Sequence, residues 1–174
     1  KEFLSDRRVI EVPKVVWWPL LNFVILSTRP QKSGKAYEEV WNHELDESPL
    51  KTFTRNQAEL LSKRMAGESE VVVDWGMRYG NPSIKERLEK LKDEGCEKIL
   101  IVPLYPQYSA ATTATVNDKS FDALKELRWQ PAVRTAPAWP DDPVYIDALA
   151  KSLEEHLATL DFEPELVITS YHGL

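Results

Sequence analysis

The sequence has little cysteine, little glycine and no excess of basic residues, and each shortage excludes a class of protein. Its 174 residues include one cysteine, Cys96, so the chain can form no internal disulfide and no cysteine-type zinc site. The net charge is −6, which argues against nucleic acid as a partner because such binding depends on positive charge. The six glycines form neither GxGxxG nor GxxxxGK[ST], so a nucleotide cofactor is not expected.

Long hydrophobic runs are also missing. The longest, residues 15–26, is about a dozen residues long and contains Pro19 and Asn22, whereas a membrane-spanning helix needs about 20 apolar residues. The first eight residues are densely charged and do not resemble a secretory signal. We therefore expect a cytoplasmic protein in a reducing compartment. The bulky side chains of residues 15–26 fit plain burial in the core about as well as they fit an apolar mouth or a membrane surface.

From Thr54 onward, short β-branched runs alternate with helical periodicity, which predicts an α/β fold with a doubly wound parallel sheet. One helix is expected from a capping box at Thr54 to Met65, and another from an N-cap at Asn81 to Gly95. The later helices are expected over 118–127 and from Asp142, the last with an apolar stripe at Ile146, Leu149, Leu153 and Leu157. The predicted strands are 70–75, 99–104, 133–135 and 166–169, and the second is expected to be covered on both faces.

Ligands of an open parallel sheet bind beyond the carboxyl ends of its strands. The segments that follow the predicted strands bring aromatic side chains, Arg78 and His172 to this rim. A flat apolar surface with an arginine and a neutral imidazole suits a planar, acid-bearing ligand. His43 and His156 are expected at the surface, and no HxxxH spacing encodes a metal site. The segments are 76–80, 105–109, 136–140 and 170–173.

Several short motifs occur in an order typical of one family. They are Leu104-Tyr105-Pro106-Gln107-Tyr108-Ser109 with Thr112-Thr113, Ser170-Tyr171-His172-Gly173-Leu174, Arg29-Pro30 with Tyr37, Ser48-Pro49-Leu50, and Arg78-Tyr79. On these residues the chain resembles ferrochelatase along its whole length. The resemblance implies two Rossmann-like lobes with a porphyrin between them, which insert ferrous iron into protoporphyrin IX to form haem. Residues 1–174 resemble the first lobe, with an apolar lip at 15–26, and the second, C-terminal lobe is absent.

The resemblance also implies roles for particular residues. His172 would bind the metal or accept a pyrrole proton, and the sequence does not choose between these roles. Arg29, Tyr37 and Ser48 would contact the porphyrin, although Ser48 fits a simple turn residue before Pro49 equally well. The inner end of the pocket would be lined by Arg78, Tyr79 and Tyr105.

No cofactor is implied beyond the substrate iron. Ala110 stands where the animal type has a cysteine ligand, which disfavours a [2Fe–2S] cluster of that type. The expected partners are protoporphyrin IX, ferrous iron, the missing C-terminal lobe and, peripherally, a membrane surface. The alternatives are a chelatase for another metal or tetrapyrrole, such as a coproporphyrin ferrochelatase or a cobalt chelatase, or a non-catalytic module that binds porphyrin or haem. The chain by itself is expected to be inactive.

Overall fold

A computed structural model of the chain describes residues 1–67 and 70–170. Two short strands, β1 (Lys98–Ile101) and β2 (Ala132–Thr135), lie among helices that are short at first and longer after residue 49. Two π-helical segments interrupt the helical regions, Leu20–Ile25 and Ala110–Ala114. The α-helices are α1 (Glu2–Ser5), α2 (Lys14–Pro19), α3 (Leu26–Thr28), α4 (Pro30–Glu38), α5 (Pro49–Arg64), α6 (Ile84–Asp93), α7 (Thr115–Glu126) and α8 (Pro143–Leu157).

The two strands are parallel, with Lys98 opposite Ala132 and Ile101 opposite Thr135. Helix α7 lies in the connection between them, which is the arrangement of a βαβ unit. Side chains of α6 and α7 pack on one face of the strands and form the core. The predicted α/β class is thus confirmed. The core residues are Leu88, Ala123 and Leu124, with Ile84, Ile99, Leu127 and Val133 packed against them.

The second face of the sheet is open, so the expectation of a strand covered on both faces is wrong. Leu100, on β1, is 63% exposed. The strand is also shorter than the predicted range 99–104, and Pro103, which has no N–H to donate, follows shortly after its end. Helix α8 begins at Asp142 and Pro143 as predicted, but its apolar stripe is not buried, since Ile146 and Leu149 are both 49% exposed.

The predicted strands 70–75 and 166–169 are also wrong, since both segments are irregular in the structure. A β-branched run becomes a strand only when another strand pairs with its backbone, and β1 and β2 pair only with each other among the described residues. The Trp75 N–H instead donates to the Asp74 carboxylate at 2.8 Å. Ile168 is 83% exposed and has no sheet to cover.

Capping side chains explain where two helices begin. Helix α5 begins at Pro49, not Thr54, because the Ser48 side chain accepts a hydrogen bond from the Lys51 N–H at 3.3 Å. Helix α6 begins after Ser83, not Asn81, because Ser83 and Glu86 form a reciprocal capping box.

The remaining helix ends follow the sequence more closely. Helix α7 begins at Thr115, three residues earlier than expected, and ends at Glu126. Gly95 follows α6 with φ of +87°, the left-handed conformation that glycine adopts without strain, as predicted for a helix stop. Cys96 is half-buried between α6 and β1, and His156 is exposed on α8, as expected for the histidine.

The apolar segment 15–26 is helical and lies mostly at the surface. Trp18 and Phe23 are both exposed and pack edge to face, with their ring centroids 5.8 Å apart. Leu21 is buried, and the Trp17 indole Nε1 donates to the Leu4 carbonyl at 2.7 Å, which anchors the segment to α1. Within residues 1–67 and 70–170, no helix is both long and apolar enough to cross a membrane.

Candidate functional site

The loops beyond the carboxyl ends of β1 and β2 meet at one rim. The Trp139 backbone N–H, after β2, donates to the Pro106 carbonyl, after β1, at 2.9 Å. Trp139 also packs edge to face on Tyr145, with the ring centroids 5.1 Å apart. Tyr105 and Tyr108 stand exposed in the loop after β1. The predicted aromatic rim is therefore present at these two strand ends.

Arg78 and Tyr79 meet at a carboxylate that the sequence did not single out. The Arg78 guanidinium Nη2 and the Thr115 hydroxyl both donate to Asp6 Oδ2. The Tyr79 hydroxyl donates to the same oxygen at 2.8 Å. The Arg8 backbone N–H donates to the other oxygen, Oδ1, at 2.8 Å. The Asp6 side chain is only 9% exposed, so a nearly buried carboxylate organises this group of side chains, which we call the Asp6 cluster.

Arg78 is held at several points within the Asp6 cluster. Its Nε donates to the Thr115 hydroxyl, and its Nη1 lies 3.5 Å from Glu2 Oε1. The guanidinium carbon also lies 4.2 Å from the centre of the Tyr79 ring, a cation–π distance. Thr115 is almost completely buried. The guanidinium therefore has one fixed position, beside an open cleft of about 340 Å³.

The cluster changes the proton affinities of its members. Burial raises the pKa of Asp6, but hydrogen bonds from Thr115, Arg8 and Tyr79, together with the charge of Arg78, outweigh it and hold the pKa below its usual value. Burial raises the pKa of the Tyr79 phenol above its usual value. At neutral pH, Asp6 is thus an anion that only accepts hydrogen bonds, and Tyr79 is a neutral donor.

Ser48 and Tyr79 line one cavity of about 220 Å³. Glu47, beside Ser48, is buried and accepts hydrogen bonds from the Thr52 hydroxyl at 2.8 Å and from Arg55 Nη1 at 2.7 Å. Burial raises the pKa of Glu47, but the hydrogen bonds from Thr52 and Arg55 and the charges of Arg55 and Lys51 outweigh it, so the pKa lies below its usual value. The ion pair between Glu47 and Arg55 joins the residue before Ser48 to the second turn of α5. It therefore stabilises one edge of the cavity.

The structure brings together only some of the residues that the sequence singled out. Arg29 and Tyr37 are exposed on the helical region before α5, and they line neither of the two cavities. Tyr105 stands in the loop after β1 and lines neither of these cavities. His172 lies outside the described residues. Within residues 1–67 and 70–170, no group of three His, Cys, Asp or Glu side chains could hold a metal ion.

The sequence reasoning missed Asp6, Thr115 and Glu47. Asp6 lies 72 residues from Arg78 and 109 from Thr115, so no local spacing connects them. The only signal for Thr115 is that it follows the Thr112-Thr113 pair at the start of α7. Glu47 directly precedes Ser48, but a charged residue in a polar stretch gives no sign that it is buried.

A loss of capping is expected when Ser48 is replaced by alanine. Because its side chain accepts the Lys51 N–H, Ser48→Ala should lower the free energy of unfolding by about 1 kcal/mol. Ser48→Asp keeps an acceptor at the helix N-terminus and should retain the stability of the parent. Urea denaturation followed by circular dichroism measures both. Equal losses in the two variants would contradict the capping role.

A parallel strand pair with α-helices packed on it, and an aromatic rim at its carboxyl edge, define an α/β protein with a chelatase-like fold. The sequence profile of one family, Ferrochelatase, matches residues 1–174. The chain therefore belongs to the ferrochelatase family, and the resemblance stated above is confirmed.

Curated bacterial proteins that are similar to the chain also belong to the ferrochelatase family by name. The chain is 63% identical over 174 residues to the ferrochelatase of Rhizobium meliloti (strain 1021), covering 100% of this chain and 51% of that protein. It is 61% identical over 173 residues to the ferrochelatase of Agrobacterium fabrum (strain C58 / ATCC 33970), covering 99% and 50%. For the ferrochelatase of Brucella suis (strain ATCC 23445 / NCTC 10510) the identity is 58% over 173 residues, covering 99% and 49%. The chain spans about half the length of the curated relatives it matches.

Proposed function

We propose that the full-length protein carrying this sequence is a ferrochelatase that inserts ferrous iron into protoporphyrin IX to form haem. The observation that carries the proposal is the family match over residues 1–174, to which relatives 58–63% identical and named ferrochelatase add support. The structure adds support, since Arg78 and Tyr79 share the Asp6 carboxylate as a partner, and Tyr79 and Ser48 line one cavity.

Residues 1–174 are the first of two Rossmann-like lobes in this proposal, and the exposed segment 15–26 is the apolar lip through which the porphyrin enters. The exposed Trp18 and Phe23 support the lip, because bulky apolar groups at a surface favour an apolar ligand or a membrane surface. A second lobe of similar size closes the cleft, which agrees with relatives about twice as long as this chain.

Each residue named from the resemblance has a role suited to its chemistry. Arg29 pairs with a propionate of the porphyrin, because the guanidinium presents two parallel donors to a carboxylate. Tyr37 and Ser48 contact the macrocycle nearby. Arg78, Tyr79 and Tyr105 line the inner end of the pocket, and of these the first two share Asp6 as a partner.

Metal insertion requires that two pyrrole N–H protons leave, that iron loses its water and that the macrocycle bends to present its nitrogens. His172 takes part either as a ligand of the substrate iron or as the acceptor of a pyrrole proton. A neutral imidazole suits both roles, because one ring nitrogen carries a lone pair near neutral pH. No resident cofactor takes part in the proposed reaction, and Ala110 provides no ligand for an animal-type cluster.

Porphyrin fluorescence tests the proposal. The full-length protein is supplied anaerobically with ferrous iron and protoporphyrin IX, and we expect the fluorescence to fall as haem absorption bands appear. The isolated chain of 174 residues is the matched control and should be inactive, since half of the cleft is absent. Metal insertion by the isolated chain would contradict the two-lobe arrangement.

Parallel reactions separate the alternatives. Coproporphyrin in place of protoporphyrin IX, and cobalt in place of iron, reveal a chelatase with another tetrapyrrole or metal substrate. Tight porphyrin binding by the full-length protein without insertion of any metal would favour a binding module and overturn the proposed enzyme. Ser48→Asp, which keeps the helix cap, should weaken porphyrin binding if the Ser48 hydroxyl contacts the macrocycle.

A further inference from the structure

We propose that Asp6 is a positioning residue, which fixes Arg78 and Tyr79 at the inner end of the pocket for the metal-insertion reaction. The inference rests on the proposed function, because it assigns Arg78 and Tyr79 to the reaction site. Asp6 itself is not placed in contact with the substrate. Its effect on the reaction is exerted through the two side chains that it holds.

The geometry of the carboxylate supports this role. One oxygen, Oδ2, accepts hydrogen bonds from the side chains of two consecutive residues, Arg78 and Tyr79. Consecutive side chains normally diverge, so a shared partner determines both orientations at once. The Thr115 hydroxyl completes the arrangement, since it accepts from Arg78 Nε and donates to Asp6. The polar groups that meet at Oδ2 and Oδ1 are all donors, and a carboxylate supplies both acceptor oxygens together with the negative charge that faces the Arg78 guanidinium.

The cluster also joins three parts of the chain that are remote in sequence. Asp6 directly follows α1, Arg78 and Tyr79 lie in the loop before α6, and Thr115 is the first residue of α7. Because Arg78 has 13% of its side chain exposed and Asp6 has 9%, their ion pair is largely shielded from solvent. Removing one charge of such a pair leaves the other uncompensated, which is costly. The guanidinium would then leave its fixed position to reach water.

The same N-terminal segment has a second ion pair, which provides a matched control. Arg8 Nε donates to Asp118 Oδ2 at 2.7 Å, and its Nη2 donates to Oδ1 at 3.1 Å. This pair also joins the segment to α7, but both side chains are about half exposed, and neither is hydrogen-bonded to Arg78 or Tyr79. Exposed ion pairs contribute little to stability. Asp118→Asn thus makes the same chemical change as Asp6→Asn while it leaves the Asp6 carboxylate and its four donors in place.

The experiment compares the steady-state kinetics of iron insertion in the parent, Asp6→Asn and Asp118→Asn, all as full-length proteins. We expect Asp6→Asn to lower kcat at least tenfold, with KM for protoporphyrin IX within twofold of the parent value. Asp118→Asn should leave both constants within twofold. A merely structural effect on the lip would instead raise KM, because the segment that admits the porphyrin begins at residue 15, nine residues after Asp6.

Two further measurements keep the inference testable if Asp6→Asn does not fold. Thr115→Val removes the hydroxyl between Arg78 and Asp6 while it keeps the carboxylate, and it should lower kcat at least threefold at unchanged KM. In NMR spectra of the parent, the Arg78 Nε–H should exchange slowly with solvent, and Thr115→Val should remove this protection. Asp118→Asn should leave the signal unchanged.

The outcomes separate the inference from the function on which it rests. An active parent whose kcat is unchanged in Asp6→Asn or Thr115→Val would overturn the positioning role alone. A rise in KM equal to the loss in kcat/KM, with kcat constant, would also overturn it in favour of a structural role. A parent that inserts no metal into any tetrapyrrole would overturn the proposed function, and this inference with it.

Discussion

Replacement of His172 by alanine is expected to reduce iron insertion by the full-length protein at least about 100-fold, the lower range for the loss of an acid–base group. His172 follows the final apolar run and lies in a motif that matches the ferrochelatase family. The alanine methyl group neither binds iron nor accepts a proton. The anaerobic protoporphyrin assay described above measures the loss directly.

A second histidine, His156, provides a control that shows whether the loss of activity is specific to His172. His156 lies exposed on α8, so His156→Ala should retain the parent rate. An active His172→Ala variant would show that another group performs the chemistry.

Truncation of Leu88 is expected to have the largest effect on stability. Leu88 lies on α6 with 4% of its surface exposed, and it packs in the core formed by α6, α7 and the two strands. Leu88→Ala should therefore lower the free energy of unfolding of the full-length protein by about 2–5 kcal/mol, the usual cost of a cavity in a core. Urea denaturation followed by circular dichroism provides the measurement.

Leu60 on α5 offers the matched control, because it is exposed in the structure. Leu60→Ala should change the free energy of unfolding by no more than about 0.5 kcal/mol. A large loss in this variant would indicate that the full-length protein buries α5 against another part of the chain. An unchanged Leu88→Ala variant would contradict the core described above.

Local signals predicted the helices better than the strands. Asp142 with Pro143 marked the start of α8, and Gly95 marked the end of α6, because a cap or a left-handed glycine acts within a few residues. The predicted strands 70–75 and 166–169 failed for the opposite reason. A strand requires a partner at a distance in sequence, and the apolar run alone does not specify one.

The residues of the candidate site also fall into those that the sequence predicted and one that it missed. Arg78, Tyr79 and Ser48 belong to short motifs, so family resemblance pointed to all three, and the expected rim pointed to the first two as well. The partner of the first two, Asp6, has no motif of its own and was missed. Ser48 also illustrates that a residue singled out for ligand binding can perform a structural task, since its side chain caps α5.

The sequence by itself determined the family, the α/β class and the helix ends marked by Gly95 and by Asp142 with Pro143. It determined these because motifs, periodicity and capping depend on neighbours along the chain. Only the tertiary structure decided which face of the sheet is covered and which residues meet at Asp6. Burial and hydrogen bonds between segments 72 or 109 residues apart depend on how those segments pack, which no local pattern encodes.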